Sequence, residues 1–336
     1  MNKISSDIVI HTSQEIQLAK ASTFDQQDDI TSWANQYFHS HVQNSPYHTQ
    51  RAKKADLNIF LSYFTIALGS NLIDLWTPAI TKGLQNHLTT QTSTKTGKNF
   101  AATSINRIMA TVKHFANWIL KERKLLGGNP FLGVKFIQVD DPEWNGLSSM
   151  EVTRLKAACE IRLNACKKQH QNPLLEYLVF SILYSTGLRE AELASLNFGQ
   201  YHSRGIHNVK RKGHKVTRKV SIVNDTKELL DQYLATRQDL IDNSPLLTNQ
   251  YGTRLNVRDI ARICERIAKQ ANAHLAEEQK IKLTPHMLRH TFLKKIADKH
   301  GLHVAQNLSG NVSIREIFRY TKPNDAQKQE ILEQLF

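Results

Sequence analysis

Apolar positions recur at helical spacing along most of the chain. "DDITSWANQYF" puts Ile30, Trp33, Ala34, Tyr37 and Phe38 at i, i+3, i+4, i+7 and i+8, the stripe of an amphipathic helix behind an acidic start. "SPYHTQRAKKADLNIFLSYF" repeats the pattern with Leu57, Phe60, Leu61 and Phe64, and carries Arg51, Lys53 and Lys54 at its front. "TSTKTGKN" is a polar loop over 92–99. "TSINRIMATVKHFANWILKERK" turns Ile105, Ile108, Met109, Val112, Phe115 and Ile119 inward and leaves Arg107, Lys113 and His114 on its other face. The first 25 or so residues show no such period and read as a loose tail.

"GGNPFLGVKFIQVDDPEWNG" interrupts the pattern with glycine and proline at both ends, which predicts an interdomain connection. Ser148 and Glu151 then form a capping box ahead of a new helical stripe. "PLLEYLVFSILYSTGL" is an apolar helix. "IHNVKRKGHKVTRKVSIV" alternates instead, around a glycine-containing turn, and predicts a β-hairpin. The remainder is mostly helical. The expected fold is mainly α with a small β-hairpin or sheet: a helical domain over 26–132, a linker over 133–146, an α+β domain over 147–324 and a terminal helix over 325–336. That last segment bears Ile331, Leu332, Leu335 and Phe336 on one apolar face.

Charge changes the picture more than composition does. The 336 residues carry 44 Lys and Arg against 30 Asp and Glu, a formal net charge of +14, which points to a polyanionic partner. No apolar run approaches the roughly 18 residues of a membrane span, and the N-terminus lacks the apolar stretch of a secretory signal. A cytoplasmic protein is expected, at the nucleoid if the host is bacterial. Cys159, Cys166 and Cys264 are too few and too scattered for a disulfide framework or a zinc site, and read as packing thiols.

Three segments could carry chemistry. In "STGLREAELASL" Arg189 follows a small and apolar turn, where a partly buried guanidinium needs an anion, and Glu192 stands three residues on as its holder. In "LTPHMLRHTF" Thr284 caps a helix that Pro285 begins, and His286, Arg289 and His290 share one face, with Leu288 and Phe292 turned to the core. Two imidazoles and a guanidinium at a helix start suit a phosphate. The i, i+4 histidines could also chelate zinc, but no glutamate lies between them and Arg289 repels a cation. In "SGNVSIREIFRYTKP" Ser313 and Glu316 cap a short helix that ends near Tyr320. By itself that tyrosine reads as a packing aromatic; its oxygen becomes a nucleophile only beside cations and a base.

Taken in order, "TGLREAEL", the turn "KRKGHK", "HMLRHT", "SGN" and Tyr320 resemble the tyrosine recombinase (phage integrase) family, and the nine residues from Asn311 to Tyr320 match the family's spacing. The helical first domain is similar to the family's core-binding domain. The resemblance implies roles: Arg189 and Arg289 clamp the scissile phosphate, Tyr320 attacks phosphorus, His286 takes or relays the tyrosine proton, and a turn lysine protonates the leaving 5′-oxygen. That lysine is Lys212, with Lys210 and Lys215 as alternatives. Asn311 stands where the family usually has histidine or tryptophan; it can donate a hydrogen bond but cannot carry charge. Glu192 and His290 support the site from behind.

The resemblance implies no metal, since the arginines do what Mg²⁺ does elsewhere, and no other cofactor, since the bond energy stays in the phosphotyrosine. Expected DNA contacts are Arg51, Lys53, Lys54, Arg107, Lys113, His114, Lys210, Arg211 and Lys215. The implied partner is double-stranded DNA with paired inverted sites, gripped by a two-domain clamp. The protein is expected to be monomeric when free and tetrameric on DNA through its terminal helix, passing through a Holliday junction during integration, excision or resolution of mobile or chromosomal DNA. A type IB topoisomerase or telomere resolvase would share the chemistry, and a DNA-binding relative with a dead site would share only the fold.

Overall fold

Asp29 starts the first helix as an N-cap should. Its carboxylate accepts from the backbone N–H groups of Thr31 and Ser32 at 3.3 and 3.0 Å, satisfying two of the helix's unpaired donors. The computed structural model describes residues 28–92, 97–139, 145–165, 171–202, 205–211, 215–238 and 240–310, with 329, 332, 333 and 335 near the C-terminus. The chain divides into two units, Met1–Asp140 and Asp141–Phe336.

In the first unit, α1 (Ile30–Tyr37) runs into a π turn (Phe38–Val42), followed by α2 (Tyr47–Leu68), α3 (Pro78–Thr90) and α4 (Ala102–Glu122). The stripe read on α4 is buried in full: Ile105, Ile108, Met109, Val112, Phe115 and Ile119 meet Ile30, Tyr37, Leu57, Phe60 and Phe64 in one core. Helix α3 is absent from the periodic pattern because its fully buried positions are only Leu84, Leu88 and the polar Thr81, with Ile80 packed at the edge of the core. Thr81 packs there because its hydroxyl accepts from buried Trp76 Nε1 at 2.9 Å.

One expectation changes here. The stretch over 133–146 is not a free linker from its start. Phe131 is buried in the first core, with Val134 and Ile137 packed against it. Asn106 then reads both backbone groups of Ile137, donating to its carbonyl at 2.8 Å and accepting from its N–H at 3.0 Å. Arg107, an expected DNA contact, keeps 52% of its side chain exposed but also pairs inward. Its Nη1 lies 2.6 Å from Asp56, a carboxylate with 1% of its side chain exposed, which also accepts from Thr111 at 2.9 Å. A buried carboxylate needs such partners, so Arg107 ties α2 to α4.

The second unit opens with α5 (Ser149–Ala165). The expected capping box is formed: Glu151 Oε2 accepts from the Ser148 N–H at 2.7 Å, and the Glu151 N–H donates to Ser148 Oγ at 3.3 Å. Helices α6 (Pro173–Thr186) and α7 (Glu190–Ala194) lead to a three-stranded antiparallel sheet in the order β1 (Tyr201–His202), β2 (Gly205–Lys210), β3 (Val216–Ser221). The expected hairpin is β2–β3, closed by the Arg211 N–H on the Lys215 carbonyl at 2.6 Å; β1 is an added edge strand. Then follow α8 (Asn224–Ala235), α9 (Val257–Ala271), α10 (Pro285–His300) and α11 (Leu302–Ser309).

Cys159 and Cys264 are buried free thiols, each pushed up to about 12 by burial, as packing residues should be; Cys166 lies outside the described residues. Among the described residues, no helix is long and apolar enough to cross a membrane.

Candidate active site

The site is assembled where α6 ends. Gly187 leaves the helix in the left-handed region, φ +63°, and a Cβ there would stand 2.3 Å from Phe292 Cδ1. Only glycine meets both demands, the backbone sign and the contact with α10. The turn delivers Arg189 to the N-cap of α7. Glu192, at the third position of that short helix, reaches back. Its Oε2 accepts from the Arg189 N–H at 3.0 Å and its Oε1 from Arg189 Nη1 at 2.9 Å. The arginine and its holder, read as an i, i+3 pair, are thus one unit with the helix start.

Helix α10 brings the second cluster. Thr284 caps it by accepting from the Met287 N–H at 3.3 Å, and Pro285 occupies its first turn. Arg289 is buried and donates through Nη1 to the carbonyl of Gly187 and through Nη2 to that of Ser309, the latter at 3.3 Å. A guanidinium fork is suited to two acceptors at once, and here it joins the end of α6 to the end of α11. The carbonyl it takes on α6 is two residues ahead of Arg189, so both arginines converge on one turn.

His286 and His290 stack edge to face with centroids 4.2 Å apart. His286 keeps solvent access. Its pKa is lowered, first by loss of solvent around the buried part of the ring; Glu190 pulls it up, and Arg289 and Arg189 push it down. A neutral imidazole beside two guanidiniums can accept a proton at pH 7. His290 is buried beneath it, and burial, followed by His286, pushes it down to about 4 in spite of a hydrogen bond to the backbone of Asn145.

That shift has a consequence for stability. The unfolded chain takes a proton on this residue near the ordinary 6.5, whereas the folded chain resists until about 4. Stability should therefore fall as pH drops from about 6.5 to about 4, by at most about 3 kcal/mol. Urea melts over that window should fall less steeply for His290→Gln than for the unaltered protein.

Arg211 lies elsewhere than the sequence suggests. It was expected on the DNA-contact face, yet 1% of its side chain is exposed. Its Nη1 meets Glu192 Oε2 at 2.5 Å and its Nε donates to Thr217 Oγ1 at 2.9 Å. Strand alternation explains this: Arg211 is two residues beyond buried Val209 and points the same way. Of the other expected DNA contacts, Arg51, Lys54, Lys113, His114, Lys210 and Lys215 are exposed and Lys53 is half-buried. Lys212, Asn311 and Tyr320 lie outside the described residues.

The described part is therefore an electropositive turn in which Arg189 and Arg211 share one carboxylate, with Arg289 anchored beside Arg189 and a neutral imidazole at the rim. It suits charge developing on a phosphoryl group. Among the described residues, no cluster of three or more His, Cys, Asp or Glu side chains could hold a metal ion.

The chain is similar to several known proteins. The chain is 28% identical over 284 residues to tyrosine recombinase XerC of Thermodesulfovibrio yellowstonii, covering 82% of this chain and 85% of that one. It is 27% identical over 242 residues to tyrosine recombinase XerD of Oceanobacillus iheyensis, covering 70% and 75%. Its fold is similar to the Tn1549 transposon integrase in complex with circular intermediate DNA, with a TM-score of 0.68 and 19% identity over 91% of this chain and 99% of that one. It is also similar to a lambda integrase dimer bound to a COC′ core site, with a TM-score of 0.65 and 15% identity over 94% and 82%. The phage integrase family matches residues 147–327, more than half of the chain and the whole of the site just described, and the protein accordingly belongs to that family, as a tyrosine site-specific recombinase acting on DNA.

Proposed function

We propose that the protein cuts and rejoins DNA through a 3′-phosphotyrosyl intermediate formed on Tyr320. The observation that carries this reading is the convergence of Arg189, Arg289 and neutral His286 on the turn after α6. Arg189 and Arg289 hold the non-bridging oxygens of the scissile phosphate. His286 accepts the Tyr320 proton as the tyrosine oxygen bonds to phosphorus. The phosphorus–5′-oxygen bond breaks, and Lys212 gives the leaving oxygen its proton. Asn311 donates a hydrogen bond to the phosphate. Reversal by a new 5′-hydroxyl rejoins the strand without an external energy source.

The helical unit, 26–132, serves as a core-binding domain, with Arg51, Lys53, Lys54, Lys113 and His114 as phosphate contacts that position the duplex. Two rounds of exchange between paired inverted sites pass through a Holliday junction in a tetramer, whose protomers exchange the terminal segment that includes exposed Leu332 and Leu335. The extended similarity to the two curated recombinases supports strand exchange over simple relaxation of supercoils.

A duplex nicked next to the cleavage point tests the assignment. The unaltered protein should accumulate a covalent DNA adduct, and Tyr320→Phe should form none while binding the duplex equally. Equal trapping by both, or by neither, rules out Tyr320 as the nucleophile.

A further inference from the structure

We infer that Arg211 is a positioning residue for the strand-transfer reaction: it locks the end of β2 and the end of α11 onto Glu192, and thereby sets the charge and placement of Arg189. The inference rests on the function proposed above but is carried by its own observations.

Three segments far apart in sequence meet on this one guanidinium. Glu192 on α7 takes Nη1 at 2.5 Å, and Thr217 on β3 takes Nε at 2.9 Å. The backbone of Gly310, just past α11, closes over it. A Cβ built on Gly310 would fall 2.9 Å from Arg211 Nε and 3.2 Å from its Cζ, so this glycine is the space into which the guanidinium fits. Gly310 also has φ +63°, which disfavours any side chain there. Arg211 Nη2 is buried and finds no hydrogen-bond partner among the described residues. Burying a guanidinium is costly unless it is paired, and the pairing with Glu192 serves a purpose beyond packing.

That purpose follows from charge. Glu192 alone would neutralise Arg189, leaving little net charge for a phosphate. With Arg211 on the same carboxylate, two cations share one anion and the group keeps a net positive charge. Arg211 cannot offer that charge to DNA directly, since 1% of its side chain is exposed, whereas Arg189 keeps 25%. Arg211 therefore acts through Glu192 on Arg189. It acts mechanically as well. Its own N–H closes the turn on Lys215, so the side chain that grips Glu192 and the backbone that starts residues 212–214 belong to one residue.

The test uses the full chain and the nicked duplex. Arg211→Met keeps a flexible, unbranched stem and removes charge and fork; Arg211→Lys keeps the charge. Arg211→Met should form the covalent adduct at least tenfold more slowly with duplex affinity unchanged, and Arg211→Lys should recover part of that loss. In a Glu192→Gln background, Arg211→Met should cost less than threefold more, because the path through Glu192 is already cut. A residue that merely fills space would give the same loss in both backgrounds.

Amide hydrogen exchange gives a second readout that needs no cleavage. Arg211→Met should speed exchange at the Arg189 and Arg211 amides, which bond Glu192 and Lys215, and leave α9 unchanged. Adduct formation by Arg211→Met within twofold of the unaltered protein, equal losses in both backgrounds, or unchanged exchange at those amides overturns the inference. If the unaltered protein forms no adduct, the Tyr320 assignment fails and the exchange result alone decides the role of Arg211.

Discussion

Arg289→Lys is expected to slow covalent trapping on a nicked duplex by about 100-fold or more while leaving the protein folded. The substitution keeps a positive charge and removes the planar fork. In this fold the fork is occupied structurally: Nη1 on the Gly187 carbonyl and Nη2 on that of Ser309. An ammonium can satisfy one of these but not hold both and present its remaining donors in a fixed plane. Loss of the Gly187 contact also frees the turn that aims Arg189, so both phosphate clamps degrade together.

Arg289→Ala should do more. It strands two buried carbonyls, each costing about 1–3 kcal/mol, and leaves a void where a buried side chain stood. The pair of variants separates the effects. Arg289→Lys, with one carbonyl unmet, should stay folded at a loss of about 1–3 kcal/mol and fail in trapping; Arg289→Ala should lose more stability and fail in trapping too. Duplex affinity at moderate salt should change little for Arg289→Lys, because many other phosphate contacts carry it. Trapping by Arg289→Lys within tenfold of normal would mean that charge alone suffices at this position.

How much of this was legible in the chain depended on the distance between partners. Glu192 was found from Arg189 because they sit three residues apart on one helix start. His286, Arg289 and His290 were found because a capped helix dictates which face they share. The acceptors of Arg289 were not found, since Gly187 and Ser309 are separated from it by 102 and 20 residues and offer only backbone oxygen. Carbonyls leave no mark in a sequence.

Arg211 was misread for a related reason. It lies within the basic run 210–215 and looks like one more solvated cation, although the period-2 step from Val209 already pointed it inward. The pairing of Arg107 with Asp56 leaves no local sign either, because that buried partner lies 51 residues away on another helix. Helix α3 leaves no clear stripe because its buried positions are two leucines and a threonine, with Ile80 at the edge. Long apolar periods and local charge pairs are written in the sequence; contacts closed by tertiary packing are not.

Removing Glu192 should also cost the fold heavily. Glu192→Ala leaves two guanidiniums facing each other with no anion between them. Their situations differ. Arg189 has 25% of its side chain exposed and can turn toward water. Arg211 has 1% exposed, is held by Thr217 and is roofed by Gly310, and cannot. Stranding one buried charge costs about 3–5 kcal/mol, so Glu192→Ala should fall that far in urea melts.

Replacing both members of the buried pair removes the stranded charge. The double variant Glu192→Leu with Arg211→Met should recover most of the lost stability, since an apolar pair of similar volume replaces an ion pair at little net cost. It should not recover activity. Arg189 would lose the carboxylate that orients it, and trapping should stay about 100-fold or more below normal. Stability restored together with trapping would show that the carboxylate serves the fold alone. Stability restored without trapping would assign it to the aim of Arg189, because the folded state and the chemistry would then have been separated at a single pair of residues.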